Sequence, residues 1–404
     1  MGYAMKIMVL NSGSSSIKFQ LFDMGDGERL LVKGIADKIG LEDSFLRTEG
    51  FDGPAEQQSV ALPDHRAALR AVCDLWRRLP QAGEAAHRIG GVGHRVVHGG
   101  EMFAESVLID DEVMAVLRQL TDLAPLHNPP NLLGIEVCRE MLPGVPNVAV
   151  FDTALHQTMP PKAYLYALPL DLYRKHRIRK YGFHGTSHAY VAQEAARRLG
   201  RPLAEIKVIT CRLGNGCSIT AFRGGRSIDT SMGFTPLEGL VMGTRSGDVD
   251  PAVPLYLVKD LGMGPEEVDD LLNQNSGLQG LCGARDMRDI EARAQQGDEA
   301  AQTAIEVFVY RIQKYIGAYT AALEGVDAIV FTAGIGEHSA DIRRRVLHPF
   351  RYLGLEIDEA KNEQGQEVLS TGKSRIHALK IPTNEELVIA RDTYELAARP
   401  VVAA

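Results

Sequence analysis

A chain of 404 residues exceeds what one hydrophobic core usually fills, so two domains are expected. Hydrophobic residues at 45% and charged residues at 24% give an ordinary globular balance, and a formal charge of −8 argues against a nucleic-acid binder, which would carry a basic stripe. Five scattered cysteines (Cys73, Cys138, Cys211, Cys217, Cys282), never spaced as CxxC, exclude a disulfide framework or cysteine zinc site, and no apolar run nears the ~20 residues of a membrane span.

Met5 reads as the natural start, with Met1–Ala4 a short extension, and no signal-peptide pattern precedes it. A soluble, cytoplasmic protein with no membrane and no nucleic-acid partner is expected. Strand-like alternation covers Lys6–Leu10, Ile17–Asp23, Leu31–Ile39 and Ser44–Thr48, with Gly/Asp turns between. Asp64–Leu79 is helical by period, with Ala67, Leu69, Val72 and Leu75 among its apolar positions. "RIGGVGHRVVHGG" (Arg88–Gly100) reads as a buried strand entering a glycine loop. Asp110–Leu123 is an amphipathic helix whose acidic opening suits its N-terminal dipole. "PNVAVFDTALH" (Pro146–His156) puts a strand in front of Asp152.

From about residue 150 the pattern becomes regularly α/β. It gives a helix over Thr186–Leu199, a strand Lys207–Cys211, a long helix Asp298–Leu323 and a strand Asp327–Thr332. A final helix covers Asn384–Ala398. One string recurs half a chain apart: "KIMVLNSGSSSIKF" (Lys6–Phe19) lies over "KVITCRLGNGCSITAF" (Lys207–Phe222). Lys6 falls on Lys207, Gly13 on Gly214 and Ser14 on Asn215. After one inserted residue, Ser16 and Ile17 fall on Ser218 and Ile219. A duplicated domain that presents one strand–turn–strand loop per copy follows if the match is real.

These turns suit phosphate. GxxxxGK[ST] occurs nowhere, and no strand continues into GxGxxG and a helix. The opening turn therefore holds an anion differently from a helix N-terminus. Glycine lets backbone N–H groups converge, the Ser14–Ser16 hydroxyls add donors, and Lys18 reaches over as a compact charge. Asn11 offers a neutral oxygen suited to magnesium or its waters. A plain hairpin with its hydroxyls in water is the alternative. "RLGNGCS" (Arg212–Ser218) is a second such turn, and "TAGIGEH" (Thr332–His338) reads as a third, after a buried strand.

Three phosphate turns beside buried strands resemble the actin-like ATPases. The longer strings are more specific: "VLNSGSSSIK" (Val9–Lys18), "GHRVVHGG" (Gly93–Gly100), "APLHNPPN" (Ala124–Asn131) and "VFDTALHQTMP" (Val150–Pro160). "YGFHGTSH" (Tyr181–His188), "DTSMGFTPLEGLVMGTRSGDVDP" (Asp229–Pro251), "FTAGIGEH" (Phe331–His338) and "IPTNEELVIARD" (Ile381–Asp392) complete the set. With these strings the chain resembles the acetate kinase family, within the actin-like ATPase and sugar kinase superfamily. The resemblance implies an α/β fold of two duplicated actin-like (ribonuclease H-like) domains with a nucleotide cleft between them. The first would span residues 1–150 plus the C-terminal helix 385–404, and the second 151–384. It also implies a homodimer, Mg²⁺ with Mn²⁺ able to stand in, and ATP + acetate ⇌ ADP + acetyl phosphate.

Position by position, the resemblance implies that Asn11 and Glu385 serve the metal, and that Ser14, Ser16 and Lys18 serve the nucleotide phosphates. Arg95 would bind the substrate carboxylate, and Asp152 would be the active-site acid. His184 and Arg245 would stabilise the transferring phosphoryl group, with His127 nearby. The nucleotide would lie along Arg212, Leu213, Gly214, Asn215 and Gly216, along Asp286, Met287 and Arg288, and along Gly334, Ile335, Gly336, Glu337 and His338. Val97, Leu126, Phe183 and Pro236 would wall the methyl pocket, or equally be ordinary core. Arg212 departs from the family pattern, which has histidine there; arginine is longer and permanently charged.

The chemistry is coherent. A carboxylate attacking ATP is an anion approaching an anion, repelled by about 4 kcal/mol at ~4 Å and an effective dielectric near 20. Arginine forks match both carboxylate and phosphate, and one at the transferring group can be worth roughly 10³–10⁵ in rate. Acetate is already ionised and needs no general base, so Asp152 is expected to orient an arginine or hold metal-bound water, with a strand-end cap as the alternative. His127, His184 and His188, placed in Pro/Gly/Ser-rich loops, lack zinc-ligand spacing, and His188 reads as structural. Valine at 97 favours acetate, with a propionate or butyrate kinase as the same-class alternative. An actin-like ATP-binding scaffold would need the hairpins but not Arg95, His184 and Arg245. A metal-dependent phosphatase lacks its ligand spacing.

Overall fold

The computed structural model describes residues 5–25, 27–50, 55–78, 89–124 and 128–398. Leu79, Arg88, Leu126, His127 and the Met1–Ala4 extension, all named above, lie outside these residues. The chain forms two compact units, Met1–Leu155 with Asn384–Ala404, and His156–Thr383.

The first unit holds β1 (Lys6–Ser12), β2 (Ser16–Asp23), β3 (Arg29–Asp37), β4 (Phe45–Gly50), β5 (Glu56–Ser59), β6 (Ile89–Val96), β7 (Val107–Leu108) and β8 (Asn147–Phe151). They form one sheet in the order β5-β4-β3-β2-β1-β6-β8-β7. Strands β1, β6 and β8 run parallel, and the remaining pairs are antiparallel. Strand alternation splits β1 between two faces. Met8 and Leu10 join Leu69, Val72 and Trp76 of the helix His65–Arg78 and Val137 and Cys138 of the helix Asn128–Met141 in one core cluster. Ile7, Val9 and Asn11 take the other face, where the helix Glu385–Ala397 packs on β6, β8 and β1. That approach explains the glycines of "RIGGVGH". A methyl group at Gly91 would lie 3.0 Å from Thr393, and one at Gly93 would collide with Thr393 and Ile389.

The second unit holds β9 (Val208–Leu213), β10 (Cys217–Arg223), β11 (Arg226–Thr230), β12 (Ala328–Thr332) and β13 (His377–Lys380), in the order β11-β10-β9-β12-β13. β9, β10 and β11 are antiparallel, and β12 and β13 run parallel to β9. β3-β2-β1-β6-β8 of the first unit has the same order and the same directions. The repeated string thus marks a repeated topology. Its second strand needs correction. Asn11 pairs with Lys18 and Arg212 with Ser218, so Lys18 occupies the position of Ser218, and Ile17 that of Cys217. Side-chain identity had matched Ser16 to Ser218 and Ile17 to Ile219. The hydrogen-bonded register, fixed by a tighter second turn, moves that strand by two residues.

Helix ends follow local chemistry. Asp110 and Asp298 cap the helices Asp111–Gln119 and Glu299–Leu323, accepting from Val113 N at 2.7 Å and Ala301 N at 3.1 Å. Asn384 caps Glu385–Ala397 in the same way. "TAGIGEH" is not a plain turn. β12 passes at once into a helix, Ala333–His338, with Ala333 at φ 63°. The helix expected over Thr186–Leu199 runs Gly185–Leu199 and contains His188, so the helical reading of that histidine stands and the loop reading does not.

Candidate active site

In the first unit, Arg95 near the end of β6 and Asp152 just past β8 lie on neighbouring parallel strands, at the carboxyl ends where open α/β sheets bind ligands. Arg95 Nε donates to Asp152 Oδ1 at 2.9 Å and Nη2 to Oδ2 at 2.7 Å, a bidentate fork. Asp152 is 1% exposed, while 20% of the arginine side chain remains open. Burial works against the guanidinium charge, but Asp152, with Glu385 and Glu386 behind it, outweighs that and raises the Arg95 pKa. Val97, buried two residues on, donates its amide to Asn131 Oδ1 at 3.2 Å.

The carbonyls of Ser12, Gly13, Ser15 and Ser16 in the opening turn are occupied. Asn131 Nδ2 donates to Ser12 O at 2.7 Å, His65 Nε2 bonds Gly13 O at 2.7 Å, Ile39 N reaches Ser15 O at 2.9 Å, and Gly13 N closes on Ser16 O at 2.8 Å. Among the described residues, no protein acceptor takes the amides of Ser14 and Ser15, whose side chains are exposed. A turn with tied carbonyls and open amides is electropositive, as an anion cradle requires. Asn11, Lys18 and Glu386 line one cavity of ≈ 270 Å³.

The second unit repeats the device. Gly243 N donates to Asn215 O at 3.0 Å, Arg212 Nη1 to Gly216 O at 3.4 Å, and Cys217 Sγ to Gly214 O at 3.1 Å. An arginine and a histidine also approach this turn. A methyl group placed at Gly216 would lie 3.6 Å from Arg245 Nη1 and 3.8 Å from His184 Nε2. His184 stands at φ 59° ahead of the helix Gly185–Leu199, a strained left-handed position for a side-chain-bearing residue. Its Nδ1 lies 2.8 Å from Ser218 Oγ. Arg245 Nη1 donates to Pro236 O at 3.2 Å, and no carboxylate among the described residues neutralises it; burial lowers its pKa. Buried Phe183 passes its carbonyl to His156 Nε2 at 3.0 Å.

Also in the second unit, Gly214, Asn215, Asp286, Met287, Arg288, Gly334, Ile335 and His338 line a cavity of ≈ 710 Å³. Asp286 accepts from Arg288 N at 3.0 Å and from its guanidinium at 3.0 and 2.6 Å; the Arg288 hydrogen bonds pull its carboxyl down to about 2. Glu337 turns away from this cavity and takes Ala333 N at 2.7 Å on Oε1. Arg343, 1% exposed, gives Nη1 to the carbonyls of Gly336 and Glu337 at 3.0 and 2.9 Å, fixing the glycine segment from behind.

Residues 6–391 match the sequence model of the Acetokinase family. The chain belongs to that family. It is 53% identical over 393 residues to the acetate kinase of Halothermothrix orenii, covering 96% of this chain and 98% of the relative. Among solved structures, Porphyromonas gingivalis acetate kinase superposes with a TM-score of 0.92 at 42% identity, covering 97% of this chain and all of the other. A propionate kinase from Francisella tularensis gives 0.91 at 42% identity with the same coverages.

The donor set of this acetokinase suits a divalent cation. Magnesium takes one or two carboxylates and neutral oxygens beside substrate phosphates. Glu385 and Glu386 open the C-terminal helix, and Asn11 shares a cavity with Glu386. Burial, and the neighbouring Glu385 charge, raise the Glu386 pKa against the pull of Arg95 and Lys18. A half-buried carboxylate beside a second one is what a cation neutralises, so the residues fit. Glu386 was not singled out from sequence, since only the cavity it shares with Asn11 marks it. Ser218 and Thr210 were likewise missed, being unremarkable polar residues inside strands.

Proposed function

We propose that this acetokinase catalyses reversible phosphoryl transfer from ATP to acetate, giving acetyl phosphate and ADP, by direct in-line attack of the carboxylate. The observation that carries the reading is the full-length match to acetate kinases, at 53% identity to a relative covered almost end to end. In this reading Arg95 binds the acetate carboxylate and Asp152 orients that guanidinium without taking a proton, because the nucleophile is already an anion. The open amides of Ser14 and Ser15 and the Lys18 ammonium attract phosphate oxygens in the first unit. In the second, the Gly214–Gly216 turn, with Arg245 and His184 beside it, stabilises the charge that spreads over the transferring group. Arg245 suits that role because its charge is not spent on a carboxylate. Bound through Asn11, Glu385 and Glu386, Mg²⁺ would screen the phosphate charge. The ≈ 710 Å³ cavity would take the nucleoside.

A homodimer is proposed, and the exposed apolar helix Ala252–Lys259 supports it. None of its residues is buried, and Leu255 and Tyr256 are 56% and 55% exposed. A second copy would cover that face. A cytoplasmic setting is supported by five buried thiols without disulfides. No described helix is long and apolar enough to cross a membrane.

The test incubates the enzyme with ATP, Mg²⁺ and acetate and traps acetyl phosphate as the hydroxamate. Acetate-independent ADP release without hydroxamate would reject the reading in favour of an ATP-binding scaffold. Propionate is the second reading, favoured by the superposition on a propionate kinase. One methylene is worth only ~1–3 kcal/mol, so the kcat/KM ratio of the two acids decides between them.

A further inference from the structure

We infer that Ser218 is a positioning residue that fixes which nitrogen of His184 carries the proton, through a one-way chain of hydrogen bonds from Thr210 by way of His188. The inference rests on the proposed phosphoryl transfer for the use of His184, but not for how its ring is protonated.

Three short bonds link four side chains in the second unit. Thr210 Oγ1 lies 2.7 Å from His188 Nδ1, His188 Nε2 lies 2.7 Å from Ser218 Oγ, and Ser218 Oγ lies 2.8 Å from His184 Nδ1. Among the described residues Ser218 Oγ meets only these two rings, so its one proton stays bonded only if it donates to one ring and accepts from the other. His188 is fully buried, and burial first, with the Arg212 charge nearby, holds it neutral. A neutral imidazole has one N–H. These two facts allow only two polarities for the whole chain.

In the first polarity His184 donates to Ser218, Ser218 to His188 and His188 to Thr210. The threonine proton must then leave for the Thr220 carbonyl, 3.5 Å away and at the edge of bonding. In the second, Thr210 donates to His188 Nδ1, His188 Nε2–H to Ser218, and Ser218 to His184 Nδ1. Every proton then sits in a bond of 2.7–2.8 Å. A buried hydroxyl left with so long a bond is costly, which selects the second polarity.

The need for a donor at the transferring group favours the same polarity. The second polarity leaves a neutral His184 with its proton on Nε2, the nitrogen that points toward Gly216 beside Arg245 Nη1. In the first, a neutral ring would turn a bare lone pair toward that turn, and donation from Nε2 would need an imidazolium, a second cation at the turn that Arg245 already approaches with no carboxylate partner among the described residues. The protein thereby presents a neutral N–H donor beside a fixed positive charge, with no rearrangement needed when phosphoryl charge develops.

The test is the ¹⁵N spectrum of histidine-labelled full-length protein, with the His184 signal assigned by its loss in His184→Gln. Protonation at Nε2 alone at neutral pH is expected. An Nδ1–H tautomer or an imidazolium would overturn the inference, whatever the activity. Kinetics add a second measurement. Ser218→Ala should lower kcat roughly 10–100-fold while KM for ATP moves by less than about threefold, and Ser218→Thr should recover most of the loss. Unchanged kcat in folded Ser218→Ala would also overturn it. Failure of wild-type protein to phosphorylate acetate at all would strike the proposed function, and the spectrum would still decide the chain.

Discussion

Asp152 receives both arms of the Arg95 guanidinium, one from Nε and one from Nη2, and is itself almost wholly enclosed. Neighbouring parallel strands β6 and β8 deliver the two residues to the same end of the sheet. Asp152→Ala should destabilise the first unit by about 3 kcal/mol, because it strands a largely buried cation. Asp152→Asn keeps the shape and should recover part of that loss, yet still raise KM for acetate. Urea unfolding and steady-state kinetics on the pair provide the check; equal acetate KM in wild type and both variants would sink the orienting role.

Arg245 makes the opposite case, a partly buried cation with no carboxylate partner among the described residues. Its charge supports no ion pair in the fold, so Arg245→Ala should keep the thermal midpoint within a few degrees while kcat falls ~10³-fold or more. Arg245→Lys should recover only part, since one ammonium cannot replace a fork. Near-normal turnover in Arg245→Ala, measured by the hydroxamate assay, would refute the charge argument.

Burial sets a pH dependence on stability. Desolvation lowers the pKa of His94 and His156 to about 4, partly offset by the Asn147 bond at His94 and the Phe183 carbonyl at His156. His188 shifts the same way, by burial first. In the unfolded chain these rings titrate near 6.5, so between about 6.5 and 4 the unfolded state binds more protons. Stability is therefore fully present above about 6.5 and declines as pH falls toward 4, by up to ~1.4 kcal/mol per pH unit for each ring. Urea midpoints at pH 7, 6 and 5 measure it. A midpoint that stays level or rises on acidification would contradict the assignment of neutral, buried rings.

The exposed apolar helix bears on assembly. Leu255→Glu places a charge on the face proposed for a second copy, so light scattering should report half the wild-type mass. A wild-type mass of one chain, or a variant mass unchanged from the dimer, would remove that helix from the interface.

The sequence by itself determined the longer strands, the helix starts and the family, while the short strands β5, β7, β11 and β13 went unread. Alternation, Asp and Asn caps, and long loop strings are local properties that survive in one dimension. Asp110, Asp298 and Asn384 were legible as helix starts for that reason. Register, side-chain direction and proton bookkeeping were not. Whether Ser16 or Lys18 stands where Ser218 stands depends on which backbone groups pair across a turn. Glu386 becomes a metal candidate, and Glu337 an internal brace, only once the folded chain places each beside its neighbours. Only the folded sheet brings Thr210, His188 and Ser218 into one line, because hydrogen bonds reach about 3 Å while these residues stand up to 30 positions apart in the chain.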